Sequence, residues 1–507
     1  MAGKETGIIP HGREFDERKI QSECGLFAIY YPGHDVRKMT YVSGTDLQHR
    51  AEGAAGMYVS DGKNADLIRN LGTVAVVFQE GRVMPRVEGH IAVLHTRYPT
   101  AGSSNHMANI QPLSLDGIIL AHHGNLTNAE ELRERFPGIE YGEEFPDSDS
   151  WLALNAIAQT PGETLAEKLV NAQRNFEGGW AFILTDGKQL VASRDRYGIR
   201  PLSLGYIGDC NRPEGYALSV ETATFKNLGI SDFREVLPGE TIVIDESGVK
   251  TVDLSPNEHQ MSCIFEFVYM MRPDSEFLGE NVHMTRKRAG QILWQEQPVE
   301  VGPDEELVIM PIPDSGRPSA LGLFDEAKKQ LGDRAIYYEA LLANRYFGRN
   351  FIKSVDKRDA FQKFYVIKEL IKDRVIVLVD DSQIRGDTTR GIVDMLLEAG
   401  AKAVHERVAS PEITRPCFWG VAFSTFGQLI ANNIPDLTER ARSLRLASIA
   451  HLSLPGLFKA VGMSEQEMEA ALKQDKRKFC THCFDGNGPE MKNYGIIKLR
   501  EFQRANA

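Results

Sequence analysis

No run of the 507-residue sequence comes near the roughly 18 consecutive apolar residues that a membrane-spanning helix requires, which excludes a transmembrane protein. Cysteine is scarce. The six residues present, of which only Cys480 and Cys483 are neighbours, do not make a disulfide scaffold. Cysteines used so sparingly serve metals or catalysis more often than crosslinks, and a reducing cytoplasm is the expected setting. The first 23 residues are polar and charged and lack the apolar segment of a secretory signal. Positive charge is in deficit too: 58 Lys and Arg against 70 Asp and Glu leave a net charge of −12. That balance argues against nucleic acid as the main partner, because phosphate backbones need clustered basic residues. A phosphate-bearing small molecule stays compatible with it, since a local nest of backbone N–H groups suffices to hold one. Internal repeats and low-complexity segments are absent.

The composition, 42% hydrophobic and 25% charged, supplies core enough for two to four domains at roughly 150 residues each. After Cys24, short β-rich runs at 25–31, 90–95, 117–122, 180–185 and 241–244 alternate with Gly-, Asn- and Asp-rich turns. Helical periodicity appears between them at 128–135 and 150–158. This pattern predicts layered antiparallel sheets, an α+β unit over 24–258. The character then changes. Apolar runs at 307–310 and 375–379 each end in a polar loop followed by a helical pattern, which predicts a parallel α/β domain over 259–470 with its site at the strand C-termini. A charged tail over 471–507 carries the Cys-x-x-Cys, and residues 1–23 read as a leader.

The segment VIVLVDDSQIRGDTT brings two adjacent carboxylates, Asp380 and Asp381, to the end of a buried strand. Gly386, Thr388 and Thr389 then lead into a helix whose N-terminal N–H groups attract anions. Carboxylates beside such a cradle suit a sugar phosphate bound with Mg²⁺, a cation that prefers oxygen ligands. Taken alone, a DD pair is an acidic turn with a Thr cap; the order strand, DD, Gly-x-Thr, helix favours the functional reading. It resembles the phosphoribosyl-pyrophosphate (PRPP) motif of type I phosphoribosyltransferases. The resemblance implies that Asp380, Asp381, Ser382, Arg385, Gly386, Asp387, Thr388 and Thr389 bind PRPP, with Mg²⁺ held by Ser315, Asp380 and Asp381. It also implies a loop at Asn344, Arg345 and Tyr346 that covers the pyrophosphate.

A second signal stands in the first half. Cys24-Gly25-Leu26-Phe27-Ala28 is followed by Gln48-His49-Arg50, by His95 to Gly102, by His122-His123-Gly124-Asn125 and by Ser148-Asp149-Ser150. A lone Cys at a strand start is usually a small buried hydrophobe. The ordered set instead resembles the class II glutamine amidotransferases, whose N-terminal-nucleophile fold has αββα layers. The resemblance implies that Cys24, freed of its leader, is the nucleophile, with its own α-amino group as base. Arg97, Thr100 and Asp149 would bind glutamine, and His123, Gly124 and Asn125 would surround the oxyanion.

The two halves in this order resemble the amidophosphoribosyltransferases, and the likeness runs from Cys24 to about residue 485. It implies glutamine and PRPP as substrates, 5-phosphoribosylamine as product, feedback by nucleotides, and a homo-oligomer, a tetramer. Some members hold a [4Fe–4S] cluster, and the corresponding cysteines here are Cys263, Cys417, Cys480 and Cys483. Four thiolates with one close pair suit that cluster or a structural zinc; the alternative is a lone Cys-x-x-Cys beside two unrelated cysteines. Cys210 matches nothing.

The sequence departs from the family at His123, where an Asn is usual, and at Ala343, Tyr365 and Asp387 around the PRPP site. Glu52, Gly53 and Trp151 are further departures. Two alternatives therefore stand beside amidophosphoribosyl transfer. One is a divergent transferase with another acceptor or ammonia source, and the other is a non-catalytic protein that binds PRPP or nucleotides.

Overall fold

The computed structural model describes residues 24–97, 107–140, 148–255, 260–344, 364–421, 423, 425–473 and 478–491. In the first half, two antiparallel sheets lie face to face. One has the order Asp232–Glu235, Ser203–Asp209, Arg212–Ser219, Gly25–Tyr30, Ile91–Arg97, Ala54–Ser60, Ala65–Leu71. The other runs Gly248–Leu254, Glu240–Asp245, Leu190–Arg194, Gly178–Thr185, Ile118–Leu126, Leu113–Leu115. Gly25–Tyr30 is buried at every residue because it is central in its sheet and covered on both faces. The edge strand Ala65–Leu71 is open to solvent along much of its length.

Helix Arg37–Asp46 packs outside the first sheet, and helices Asp149–Gln159 and Leu165–Gln173 pack outside the second. One apolar core runs between the sheets, with Ala28, Tyr58, Val93, Ala121, Ile183 and Leu218 among its residues, and continues under helix Arg37–Asp46 with Phe27 and Leu94. Another lies under the outer helices around Trp151, Leu154 and Phe182. The αββα layering expected for this half is the observed one.

The second half is a five-stranded parallel sheet ordered Ala335–Tyr337, Leu307–Pro311, Val375–Asp380, Ala403–Val408, Ser448–His451. Alternate residues of each strand enter different cores. Leu307, Ile309, Val375, Val377 and Val379 join one; Val308, Met310, Ile376 and Leu378 join the other. Burial on both faces explains why these strands read as unbroken apolar runs. Helices Val282–Glu296 and Arg317–Leu331 touch backbone to backbone, since a Cβ on Gly290 would stand 1.8 Å from the Ser319 carbonyl oxygen. The 381–386 loop leaves the C-terminal end of strand Val375–Asp380, and Gly386 (φ 82°) starts helix Asp387–Glu398.

Late in the chain, Phe479–Cys480 pairs in parallel with Ser262–Cys263, Cys263 opposite Cys480. Residues 479–484 thereby enter the core of the second half, beside Ile264, Phe265 and Phe267.

Candidate active site

Cys24 stands at the head of strand Gly25–Tyr30, partly exposed and with φ 53°. Its strand is anchored by the Gly25 N–H, which donates to Thr96 Oγ1 at 3.0 Å. The Cys24 carbonyl accepts from Arg50 Nε at 3.3 Å. Arg97 is buried at the end of the neighbouring strand, and its carbonyl accepts from the Gly53 N–H at 3.1 Å. Thr100 lies outside the described residues.

The facing sheet supplies His122 to Asn125 from strand Ile118–Leu126. Strand alternation sends successive side chains to opposite faces. His122 meets the Phe182 ring, and its Nδ1 lies 3.0 Å from Ser150 Oγ and 3.8 Å from an Asp149 oxygen. Asp149 opens helix Asp149–Gln159 and accepts the backbone N–H of Leu126 at 3.0 Å and of Ser150 at 2.8 Å. His123 is fully buried, with Nε2 3.4 Å from Arg50 Nη2 and no hydrogen-bond partner on Nδ1. Burial, then the nearby Arg200 and Arg50, hold its pKa well below the usual histidine value, so the ring is neutral. Asn125 turns elsewhere: its side-chain amide donates to the Phe418 carbonyl at 2.8 Å, in the second half of the chain.

Behind Cys24 and His123 lies a buried ion network. Arg50 pairs with Glu221 at 2.7 Å and with Glu266 at 3.2 Å, and Arg200 pairs with Glu266 at 3.0 Å. Arg200 also donates to the Gly420 carbonyl at 3.2 Å. Burial opposes the charge on Arg50, yet Glu266 and Glu221 outweigh it and raise the guanidinium pKa. Burial likewise opposes ionisation of Glu221, and His49 and Arg50 overcome it to lower that pKa.

At the second centre, Asp380 ends its strand half-buried and Asp381 follows it, buried. Ser382 Oγ donates to Asp381 at 2.7 Å, and the Ser315 hydroxyl also hydrogen-bonds that carboxyl. Burial, then repulsion from Asp381 and Glu406, pushes the Asp380 pKa well up. Glu406, fully buried on the next strand, accepts from Gln383 at 2.8 Å and Thr389 at 2.9 Å. Burial pushes its pKa up to about 7, against the opposing pull of those hydrogen bonds and of Arg440. Arg385 is partly exposed within the loop, whereas Asp387 and Thr388 are exposed at the helix start. Asn344 follows strand Leu341–Ala343, which pairs with Phe364–Val366, and its amide lies 3.4 Å from the Tyr365 hydroxyl. Arg345 and Tyr346 lie outside the described residues.

Cys263 and Cys480 are buried, Cys417 and Cys483 half-buried, and the four free thiols feel one another. Burial and then Cys263 push Cys417 up to about 12. Burial and then the neighbouring thiols raise Cys480 and Cys483 well above the usual value. Among the described residues no three His, Cys, Asp or Glu side chains are gathered to hold a single metal ion.

Residues 95–212 match the family model for a glutamine amidotransferase domain. The amidophosphoribosyltransferase of Mycobacterium tuberculosis (strain H37Rv) is 35% identical across 96% of this chain and 90% of its own length. The chain belongs to the amidophosphoribosyltransferase family. The Bacillus subtilis (strain 168) amidophosphoribosyltransferase is 34% identical over 93% of this chain and 94% of its own. The solved glutamine PRPP amidotransferase from B. subtilis, complexed with ADP and GMP, superposes with a TM-score of 0.80 at 32% identity, covering 92% of this chain and 97% of that one. As a member of the family, the chain is a glutamine-dependent glycosyltransferase. It makes 5-phosphoribosylamine from glutamine and PRPP, the opening step of purine synthesis.

For an amidophosphoribosyltransferase, the ion network is what sequence reading missed. Glu221 and Glu266 are 171 and 216 residues from Arg50, and nothing local announces a pairing. Glu406 and Gln383 were missed for the same reason. The one available signal was a charged residue, Glu406, inside an otherwise strand-like run, where an unpaired carboxylate is costly.

Proposed function

We propose that Cys24, released from residues 1–23, performs the glutaminase step and that the 380–389 segment performs the transfer. The observation that carries this reading is the convergence of Cys24, through Arg50, on His123 of the facing sheet. The Cys24 thiolate attacks the glutamine amide carbon, forming a C–S bond as the C=O electron pair moves to oxygen. The Gly124 N–H and the His123 imidazole stabilise that oxyanion. Arg97 holds the substrate α-carboxylate, Asp149 its α-ammonium, and Thr100 completes the pocket. Collapse of the intermediate breaks the C–N bond, the nitrogen takes the proton that the Cys24 α-amino group had removed from the thiol, and ammonia leaves. Water then cleaves the thioester to release glutamate and restore the thiol. The ammonia lone pair attacks C1 of PRPP while the C1–pyrophosphate bond breaks, giving phosphoribosylamine, pyrophosphate and a proton.

In the second centre the backbone of 382–388 and the helix start receive the 5′-phosphate, and Asp380 and Asp381 face the ribose or its metal. Asn344, Arg345 and Tyr346 cover the pyrophosphate. A cation relieves the repulsion that raises the Asp380 pKa, so this carboxyl pair with Ser315 suits Mg²⁺, the remaining ligands coming from substrate oxygens. Mg²⁺ would supply charge neutralisation of the leaving pyrophosphate. Cys263, Cys417, Cys480 and Cys483 would hold a [4Fe–4S] cluster that ties the late segment 479–484 to the start of the second half. The enzyme works in the cytoplasm as a homo-oligomer, a tetramer, and nucleotides, which share the phosphate chemistry of PRPP, restrain it.

The test is a product balance with Mg-PRPP and either glutamine or ammonium. Glutamate and pyrophosphate should appear one for one with glutamine, and the active species should have the intact mass of a chain beginning at Cys24. No pyrophosphate from either nitrogen source, or full activity with residues 1–23 attached, would sink the reading.

A further inference from the structure

On the proposed reading His123 takes the place of an oxyanion donor, and an imidazole differs from an amide there in one chemical respect. A side-chain NH₂ always donates, whereas a neutral imidazole has one N–H, on either of two nitrogens. Only one tautomer is useful, and something must select it.

We propose that Arg50 is that selector: a positioning residue that accepts no proton itself but locks the His123 proton onto Nδ1, readying this N–H for the oxyanion at Cys24. The inference rests on the reading of Cys24 as nucleophile and deepens it. Arg50 Nη2 lies 3.4 Å from His123 Nε2, and a guanidinium can only donate. A proton on Nε2 would set two N–H groups against each other, so Nε2 must present its lone pair and Nδ1 must carry the hydrogen. That Nδ1 is fully buried and has no acceptor in the protein. Buried donors without partners are uncommon in folded chains and each calls for an explanation, a catalytic role being one.

The selector cannot swing aside. Its Nη1 is held at 2.7 Å by Glu221 and at 3.2 Å by Glu266, its Nη2 at 3.2 Å by the other Glu266 oxygen, and its Nε at 3.3 Å by the Cys24 carbonyl. One planar fork thus registers the nucleophile's backbone, the oxyanion donor and the junction residue Glu266. The positive charges of Arg50 and Arg200 also disfavour a doubly protonated ring, which keeps the choice between tautomers rather than between charge states.

The full-length protein labelled with ¹⁵N-histidine tests this directly. Long-range ¹H–¹⁵N correlation should give His123, assigned by the signal lost in His123→Asn, the pattern of an Nδ1–H tautomer. Arg50→Lys keeps the charge but not the fork. It should lower glutamine-dependent kcat by about tenfold or more, within the 10²–10³ that loss of one oxyanion donor costs. The same change in the His123→Asn background, whose amide needs no selector, should cost at least about threefold less than in the parent by double-mutant-cycle logic, the remainder being the lost hold on the Cys24 carbonyl. An Nε2–H pattern in the parent, or equal losses in the two backgrounds, overturns the proposal. The tautomer is read without turnover, so a protein inactive on glutamine would refute the catalytic reading separately from this one.

Discussion

The side-chain amide of Asn125 donates to the carbonyl of Phe418 at 2.8 Å, next in the chain to Cys417. The strand that carries His123 and Gly124 is thereby fastened to the loop that carries one of the four grouped cysteines. Arg200 repeats the connection from another direction, pairing with Glu266 and holding the Gly420 carbonyl. Glutaminase geometry and cysteine geometry are therefore mechanically continuous.

If the His123 imidazole donates to the oxyanion, His123→Ala should lower glutamine-dependent turnover by about 10²–10³. Ammonia-dependent transfer, which needs no oxyanion at Cys24, should change far less. His123→Asn should restore glutamine use by supplying an amide N–H₂. Steady-state rates with each nitrogen source check this, and an unchanged glutamine rate in His123→Ala would rule out the donor role.

If Asp380 and Asp381 face PRPP or its metal, they do so whichever nitrogen source is used. The double substitution Asp380→Asn with Asp381→Asn should abolish transfer from glutamine and from ammonium alike, measured as pyrophosphate release. Normal ammonium-dependent release would show that these carboxyls do not face the sugar phosphate or its metal.

Anaerobically purified protein should contain about four irons and four sulfides per chain, as expected of a Cys₄-ligated [4Fe–4S] centre. Cys480→Ser should lose iron and lower the unfolding temperature, because Cys480 also pairs its strand with Cys263 at the junction. Stoichiometric zinc without sulfide would reject the cluster.

Glu406 carries a pH signature. Its pKa is raised by burial from the usual 4.5 to about 7 in the folded protein. A raised carboxyl binds its proton more tightly when folded. Its contribution is fully present below pH about 4.5 and is lost as pH rises towards 7 and beyond, a change of about 3 kcal/mol by linkage. Glu406→Gln keeps partners for Gln383 and Thr389 without the ionisation. It should match the parent in denaturant stability near pH 4.5 and exceed it near pH 8. A parallel pH dependence in both proteins would contradict the assignment.

Much of this architecture is legible in the order of residues alone. Period-two patterning announces the first half as sheets, and unbroken apolar runs at 307–310 and 375–379 announce a parallel sheet buried on both faces. The candidate residues of each centre lie in short ordered strings because a strand end and its loop are contiguous, so Asp380 to Thr389 can be read as one device. Local order of that kind is written in residue types and spacings, and a sequence displays it directly.

What the sequence could not decide is every relation made by two surfaces meeting. That His122 faces Ser150 while His123 faces Arg50 depends on which side of the strand meets the other sheet. That Asn125 reaches Phe418, 293 residues away, depends on the docking of two domains. The joining of Cys263 to Cys480, and of Arg50 to Glu266, likewise waited on chain segments far apart in sequence being packed together. The physical reason is that burial selects pairings by shape and charge once the cores have formed. A carboxylate excluded from water must find whatever cation the fold delivers, and only the tertiary structure determines which one that is.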